Sequence, residues 1–326
     1  MLRIAFEELH AALTRALLTM GFTEPRASFC ARLFAETTLD GVYTHGIARF
    51  PRFARMIRAG RIAVNAEPEL VTAHGGLERW HGKLGPGNLI AWRSMDRAMA
   101  LARDHGIGAV ALSHTNHWMR AGTYGWQAAE AGCIGICWTN TMPNLPAWGA
   151  SEPRLGNNPV VFAVPRPAGP VVLDMAMSQF SYGTLAAYRE RGEKLPVDGG
   201  FDSAGRLTRD PAAVEASLRP LPIGYWKGSG LSMVLDLIAA MLSGGLATHE
   251  LTVDPEREAG VSQFFLAIDP TALGTAAAAA AIADRVVASV GARYPGQRVL
   301  EHRAENRAQG IPVDEAVWQE VQSLAG

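Results

Sequence analysis

An α/β fold is predicted by three features of this chain. Apolar, β-prone runs such as Ile134–Thr139 and Val160–Val164 alternate with helical patterns through its middle. Apolar residues recur at helical spacing near both ends. Its 326 residues exceed the size at which one core usually stops growing, so two packed parts or one elaborated domain are expected.

The N-terminal segment reads as helices. Leu9, Leu13, Ala16, Leu17 and Met20 share one helical face, and Gly21 closes that segment. Thr23 is a candidate N-cap, with Pro25 in the first turn of a second helix that stops at Gly41. A third begins at Pro51 and ends near Gly60. Leu89 to Asp104 reads as a helix closed by His105-Gly106, and Ala109 to Leu112 as a short buried strand. Arg120 to Ala131 is helical by pattern and ends at Gly132. Ile134–Thr139, Val160–Val164 and Val171–Leu173 are strand candidates. Leu231 to Leu242 reads as a helix, Gln263 to Ile268 as a strand, and Ala276 to Val290 as a helix by propensity. A last helix starts near Asp314 and places Val317, Val321 and Leu324 on one face.

Composition narrows the function classes. A net charge of -1 argues against a nucleic-acid or anionic-membrane partner. Cys30, Cys133 and Cys137 give an odd count, which reads as reduced thiols of a cytoplasmic protein. Cys133 and Cys137 lie in an apolar run, with no second pair to complete a zinc site. Glu7 and Glu8 break any signal-like pattern, and no stretch reaches the roughly 20 apolar residues of a membrane span.

Five polar clusters carry candidate chemistry. Thr44-His45-Gly46 with Arg49 sits in a helix-to-helix connection. Histidine can give and take a proton near neutral pH, and arginine can grip a carboxylate through two parallel hydrogen bonds. Ser113 to Arg120 contains His114 and His117, with no third metal ligand nearby. Pocket-facing hydrogen bonding, or an alternative proton carrier at His117, is the preferred reading. Gly156-Asn157-Asn158-Pro159 offers side-chain amides for hydroxyls or for capping a turn. Asp174 follows a strand, where a carboxylate binds a ribose, orients a histidine or is simply solvated. Gly224 to Gly230 reads as a flexible loop entering a helix, with Lys227 to attract phosphate and Trp226 to face a ring.

No dinucleotide fingerprint is present. Gly106-Ile107-Gly108, Gly85-Pro86-Gly87 and Gly228-Ser229-Gly230 each lack the third glycine. The spacing around Lys227 is also wrong for a P-loop.

Taken in order, these five clusters resemble the non-Rossmann malate/L-lactate dehydrogenase family over nearly the whole chain. Asn116 to Arg120, Tyr124 to Glu130, Ile134 to Asn140 and Leu195 to Asp202 resemble its sugar-acid reductases most closely. The resemblance implies an L-sulfolactate dehydrogenase-like α/β fold with a mixed, largely antiparallel sheet. It implies a helical region over residues 1–72, joined in space by 299–326, and an α/β core over 73–298. It implies a homodimer that reduces a 2-oxo acid with NADH, NADPH being the alternative, and no metal. His45 matches one branch's proton donor and His117 another's. Arg49 matches the carboxylate holder, and Thr44, Asn116 and Asn158 match substrate-side positions. Val171, Val172, Leu173, Asp174, Met175 and Ala176, with Trp226 and Lys227, match cofactor positions, as do Gly296, Gln297 and Arg298. Two departures stand out. Asn157 replaces the family's usual threonine, and Arg298 stands where a carboxylate is usual, which would tolerate or favour a 2′-phosphate and keeps NADPH open beside NADH. Two readings from other classes are a Schiff-base lyase through Lys227 and a non-catalytic sugar-acid binder.

Overall fold

A seven-stranded mixed sheet organises the molecule in the computed structural model, which describes residues 2–326. Its strands run in the order Glu69–His74, Leu77–His81, Ile107–Thr115, Val261–Ile268, Ile134–Thr139, Val160–Val164, Val171–Met175. Only the pair Leu77–His81 and Ile107–Thr115 is parallel. The helix Gly87–His105 makes the crossover that a parallel pair requires.

Alternation along the strands explains the layering. Val110 and Leu112 join Cys137, Val161 and Phe265 in a core covered by helices Gly87–His105 and Gly122–Glu130. Ala109 and Ala111 join Trp138, Val160 and Phe264 on the other face, with Leu235 and Ala239 of helix Trp226–Ser243. Both faces are therefore buried, which is why these strands read as continuous apolar runs. Gly108 lets the sheet approach its covering helix, since a Cβ there would lie 2.1 Å from the Ala98 carbonyl oxygen.

A third core is helical. Leu9, Leu13, Leu17, Phe34, Phe50 and Phe53 pack with Trp318, Val321 and Leu324 from the far end of the chain. Leu2–Ile4 pairs antiparallel with Ile311–Val313, tying the two ends together. The expected boundary at residue 72 falls inside the strand Glu69–His74, which belongs to the sheet.

Several elements differ from the sequence expectation. The strands beginning at Ile107, Val171 and Val261 each extend beyond the predicted run, because ladder pairing carries polar residues such as Thr115 and Asp174. The segment Gly224 to Gly230 is not all loop: the helix already starts at Trp226. A Cβ at Gly228 would lie 2.4 Å from the Ile223 carbonyl oxygen, so the glycine there serves packing. Thr23 makes no side-chain cap bond. Asp314 does cap the last helix, accepting from Ala316 and Val317, and Trp318 joins partly buried Val317 with Val321 and Leu324 against the core.

Helices Tyr182–Glu190 and Pro211–Ser217 were not legible as periodic patterns. With Leu185, Leu195 and Val214 they form a small satellite core. It meets the helical region where Gly183 approaches Thr44.

Candidate active site

Two histidines from different halves of the molecule stand together. His45 lies in the short 3-10 turn Tyr43–His45, just after the helix Glu24–Leu39. His117 follows the sheet strand Ile107–Thr115. Their rings are 6.0 Å apart, centroid to centroid, and inclined by only 18°. The His45 turn is pressed onto the preceding helix. The Ile47 N–H donates to Thr38 Oγ1 at 2.9 Å, and a Cβ at Gly46 would lie 2.4 Å from that oxygen.

The two rings are held differently. The Met119 N–H donates to His117 Nδ1 at 3.0 Å. A backbone N–H can only donate, so Nδ1 accepts and the proton of the neutral ring sits on Nε2. Charging His117 would turn that bond into two opposed donors. His45 Nδ1 instead meets the Thr44 hydroxyl at 3.1 Å. A hydroxyl donates or accepts, so His45 keeps its partner in either protonation state.

Electrostatics point the same way. Burial, then Arg49 and Arg120, push His45 down to about 4. Burial, then Arg49, His45 and Arg52, hold His117 well below the usual histidine range. Both residues are partly exposed to solvent while largely enclosed by protein, a setting common at functional sites. Arg49 is pushed down to about 10 by burial and by Arg52, with buried Glu258 opposing. Glu258 Oε2 is 3.9 Å from Arg49 Nη2 and 4.0 Å from Arg52 Nη2.

A second carboxylate frames the cleft. Asp40, at the end of the helix that leads to His45, bonds Arg120 Nη1 at 2.6 Å. It also bonds Arg303 at 2.7 and 3.0 Å. Arg303 reaches Glu130 at 3.1 Å and covers the Trp126 ring. The network thus pins the His45 turn, the segment after His117 and the helix Gln297–Gln309 to one another.

The cofactor candidates spread along the edge strand Val171–Met175. Solvent reaches Asp174, and its Oδ2 accepts from the Gly122 N–H at 2.8 Å. Surrounding protein raises that carboxyl, against the pull of Arg120 and the Gly122 N–H. The Val172 N–H donates to the Pro295 carbonyl at 3.0 Å, so Gly296 lies against this strand. Gln297 and Arg298 follow in the first turn of their helix, where Arg298 donates to His302 Nε2 at 3.0 Å. At the other end, Met177 bonds Ile223, just before exposed Trp226 and Lys227. Tyr225 enters that helix at φ 59°, a conformation costing about 1–3 kcal/mol for a bulky residue.

Two expected substrate residues also bond within the protein. Asn158 is fully buried, its Oδ1 accepting from Thr141 and its Nδ2 donating to Ser232. Asn116 Nδ2 is committed to the carbonyls of Leu84 and Gly85. Asn116 Oδ1 is left buried without a partner. Arg52, Asp40, Arg303 and Glu258 were missed by sequence reasoning. Arg52, three residues after Arg49, carried a local signal; Glu258, some 200 positions on, carried none. Among the described residues no group of three or more His, Cys, Asp or Glu could hold a metal ion. No helix among them is long and apolar enough to cross a membrane.

Known proteins resemble this chain along nearly its whole length. The malate/L-lactate dehydrogenase family profile matches residues 4–322. A 2,3-diketo-L-gulonate reductase of Citrobacter koseri is 47% identical over 99% of this chain and 100% of its own. One from Escherichia coli is also 47% identical, with the same coverage. Among solved structures, sulfolactate dehydrogenase of Methanocaldococcus jannaschii superposes with a TM-score of 0.91 at 25% identity, covering 99% of this chain and 96% of its own. The Δ1-piperideine-2-carboxylate reductase of Pseudomonas syringae reaches 0.89 at 28%, covering 99% and 100%. This chain therefore belongs to the malate/L-lactate dehydrogenase family.

Proposed function

We propose that this protein reduces the 2-keto group of a sugar acid, 2,3-diketo-L-gulonate to 3-dehydro-L-gulonate, with a nicotinamide dinucleotide as hydride donor. The observation that carries the reading is the His45–His117 pair beside Arg49 in one cleft. The substrate assignment draws on relatives of that name at 47% identity.

The edge strand fits a dinucleotide. Asp174 offers an open carboxylate for hydroxyls, and exposed Lys227 offers a cation for phosphates. Trp126 Nε1 is a buried donor without a partner, and its ring meets Gly296. Residues Val171 to Ala176, Trp226, Lys227 and Gly296 to Arg298 would hold the cofactor, which supplies the hydride when bound. Arg49 grips the substrate carboxylate through its guanidinium. His117 donates its Nε2–H to the ketone oxygen and stays neutral. Protonated His45 delivers a proton from Nε2 to that oxygen as the hydroxyl forms. The substrate carboxylate offsets the Arg49 charge and so raises His45 into its working range.

A spectrophotometric screen tests this reading. NADH and NADPH oxidation is followed with 2,3-diketo-L-gulonate, pyruvate, oxaloacetate and a cyclic imine carboxylate. Oxidation with 2,3-diketo-L-gulonate is expected to dominate; oxidation with none of them defeats the proposal. Arg298 favours NADPH, and NADH remains the competing donor. A homodimer is supported by exposed Met233, Val234, Leu237 and Met241, which form an apolar stripe on helix Trp226–Ser243. Light scattering after size exclusion checks it. The three cysteines are free and buried, which suits a reducing, cytoplasmic compartment.

A further inference from the structure

We infer that Glu258 is a specificity-determining residue that tunes the cleft for substrates with a single carboxylate. The inference rests on the proposed oxo-acid chemistry and concerns the charge of the substrate.

The argument is a charge count. Arg49 and Arg52 come one helical turn apart and both face one carboxylate, Glu258 Oε2, at 3.9 and 4.0 Å. Glu258 is itself buried, at 4% exposure. Its Oε1 accepts from the Met142 N–H at 3.4 Å, which fixes it beside the segment Met142 to Pro146. Before an anion binds, the two histidines are held neutral at pH 7, so the count describes the site that the anion first meets. Two guanidiniums and one carboxylate leave one surplus positive charge, which a monocarboxylate balances. A dicarboxylate would carry a negative charge in excess, beside Glu258.

Two further observations show that this trio is unsaturated. Neither arginine reaches Glu258 within hydrogen-bond distance, and Arg52 Nε and Nη2 are buried without a hydrogen-bond partner. Glu256 lies 3.5 Å from Arg52 Nε, but it is half exposed and also paired with Arg55 at 3.4 Å. Solvent screens that outer pair, so Glu258 is the buried carboxylate that opposes Arg49 and Arg52 most directly.

Calorimetric binding of oxamate and oxalate tests the count. These anions share size and shape and differ by one charge. Titrations use saturating NADH or NADPH, whichever the protein binds, and are repeated without nucleotide. In Glu258→Gln the oxalate-to-oxamate affinity ratio should rise at least about tenfold. In Arg52→Gln it should fall, and in Glu258→Asp it should stay close to the parent value. The Arg52 variant gives an answer even if Glu258→Gln does not fold. A ratio that moves in neither variant, or in the same direction in both, overturns the inference. Absence of wild-type turnover with every oxo acid would instead defeat the functional reading, and the affinity ratio separates these two failures.

Discussion

Two buried carboxylates, Asp40 and Glu258, each face two arginines, yet they do different work. Asp40 makes short, direct bonds of 2.6, 2.7 and 3.0 Å to Arg120 and Arg303. Glu258 stands 3.9 and 4.0 Å from Arg49 and Arg52. A carboxylate whose lone pairs are filled locks its partners in place. One that attracts from a distance leaves guanidinium donors free for another anion. The first builds the frame that joins the helical region to the sheet; the second leaves Arg49 and Arg52 with donors that the proposed function assigns to the substrate.

The sharpest way to break this comparison is to remove each carboxylate. Asp40→Ala strands a buried Arg120 and should cost roughly 3–5 kcal/mol of stability. Glu258→Gln keeps an acceptor for Met142 and should cost less than about 1 kcal/mol. Urea denaturation of both variants measures the difference, and equal losses would erase the distinction.

The histidines come next. His45→Asn should lower kcat by about 10² to 10⁴ while nucleotide binding by fluorescence is retained. His117→Asn should also slow turnover, but the pH dependence should keep its shape, because a neutral donor does not titrate. A flattened profile in the His117 variant alone would reverse their roles.

The pH dependence carries its own sign. His45 is depressed to about 4 in the free protein, so at pH 7 it is neutral. For reduction, kcat/KM should fall as pH rises above about 4, whereas kcat should hold to higher pH because bound carboxylate raises His45. For oxidation of the hydroxy acid, kcat/KM should rise through the same value and level off. Stability follows the depressed value too: the His45 contribution is complete above the ordinary pKa near 6.5 and is lost as pH falls toward 4.

Smaller effects test the clamp and the cofactor end. Arg49→Lys should chiefly raise KM, by about tenfold, because a point charge cannot reproduce a two-bond grip. Arg298→Glu should shift nucleotide preference from NADPH toward NADH by a smaller factor, read from the two dissociation constants. An unchanged preference would place Arg298 outside the cofactor contact and leave it as the partner of His302.

Much of this was legible in the sequence because it is local. Strong periodicity announced the helices near Leu9 and Leu89, and apolar runs announced Ile134–Thr139 and Val160–Val164 to the residue. The candidate pair His45 and Arg49 sits within five residues, so turn chemistry marked it. The hairpin Glu69–His74 and Leu77–His81 escaped notice because charged and polar residues interrupt its alternation. The hydrogen bonds of Asn116 and Asn158 join segments far apart in the chain, so no local pattern announced them.

By itself, the sequence determined the residue chemistry: a histidine, an arginine grip, a missing glycine fingerprint and the family pattern that joins them. Only the tertiary structure distinguishes the two histidines, because a hydroxyl meets Nδ1 of His45 and a backbone N–H meets Nδ1 of His117. It also decided that Asp40 is saturated and Glu258 is not. Distances between residues far apart in the chain arise from packing three cores together, and no local pattern encodes them.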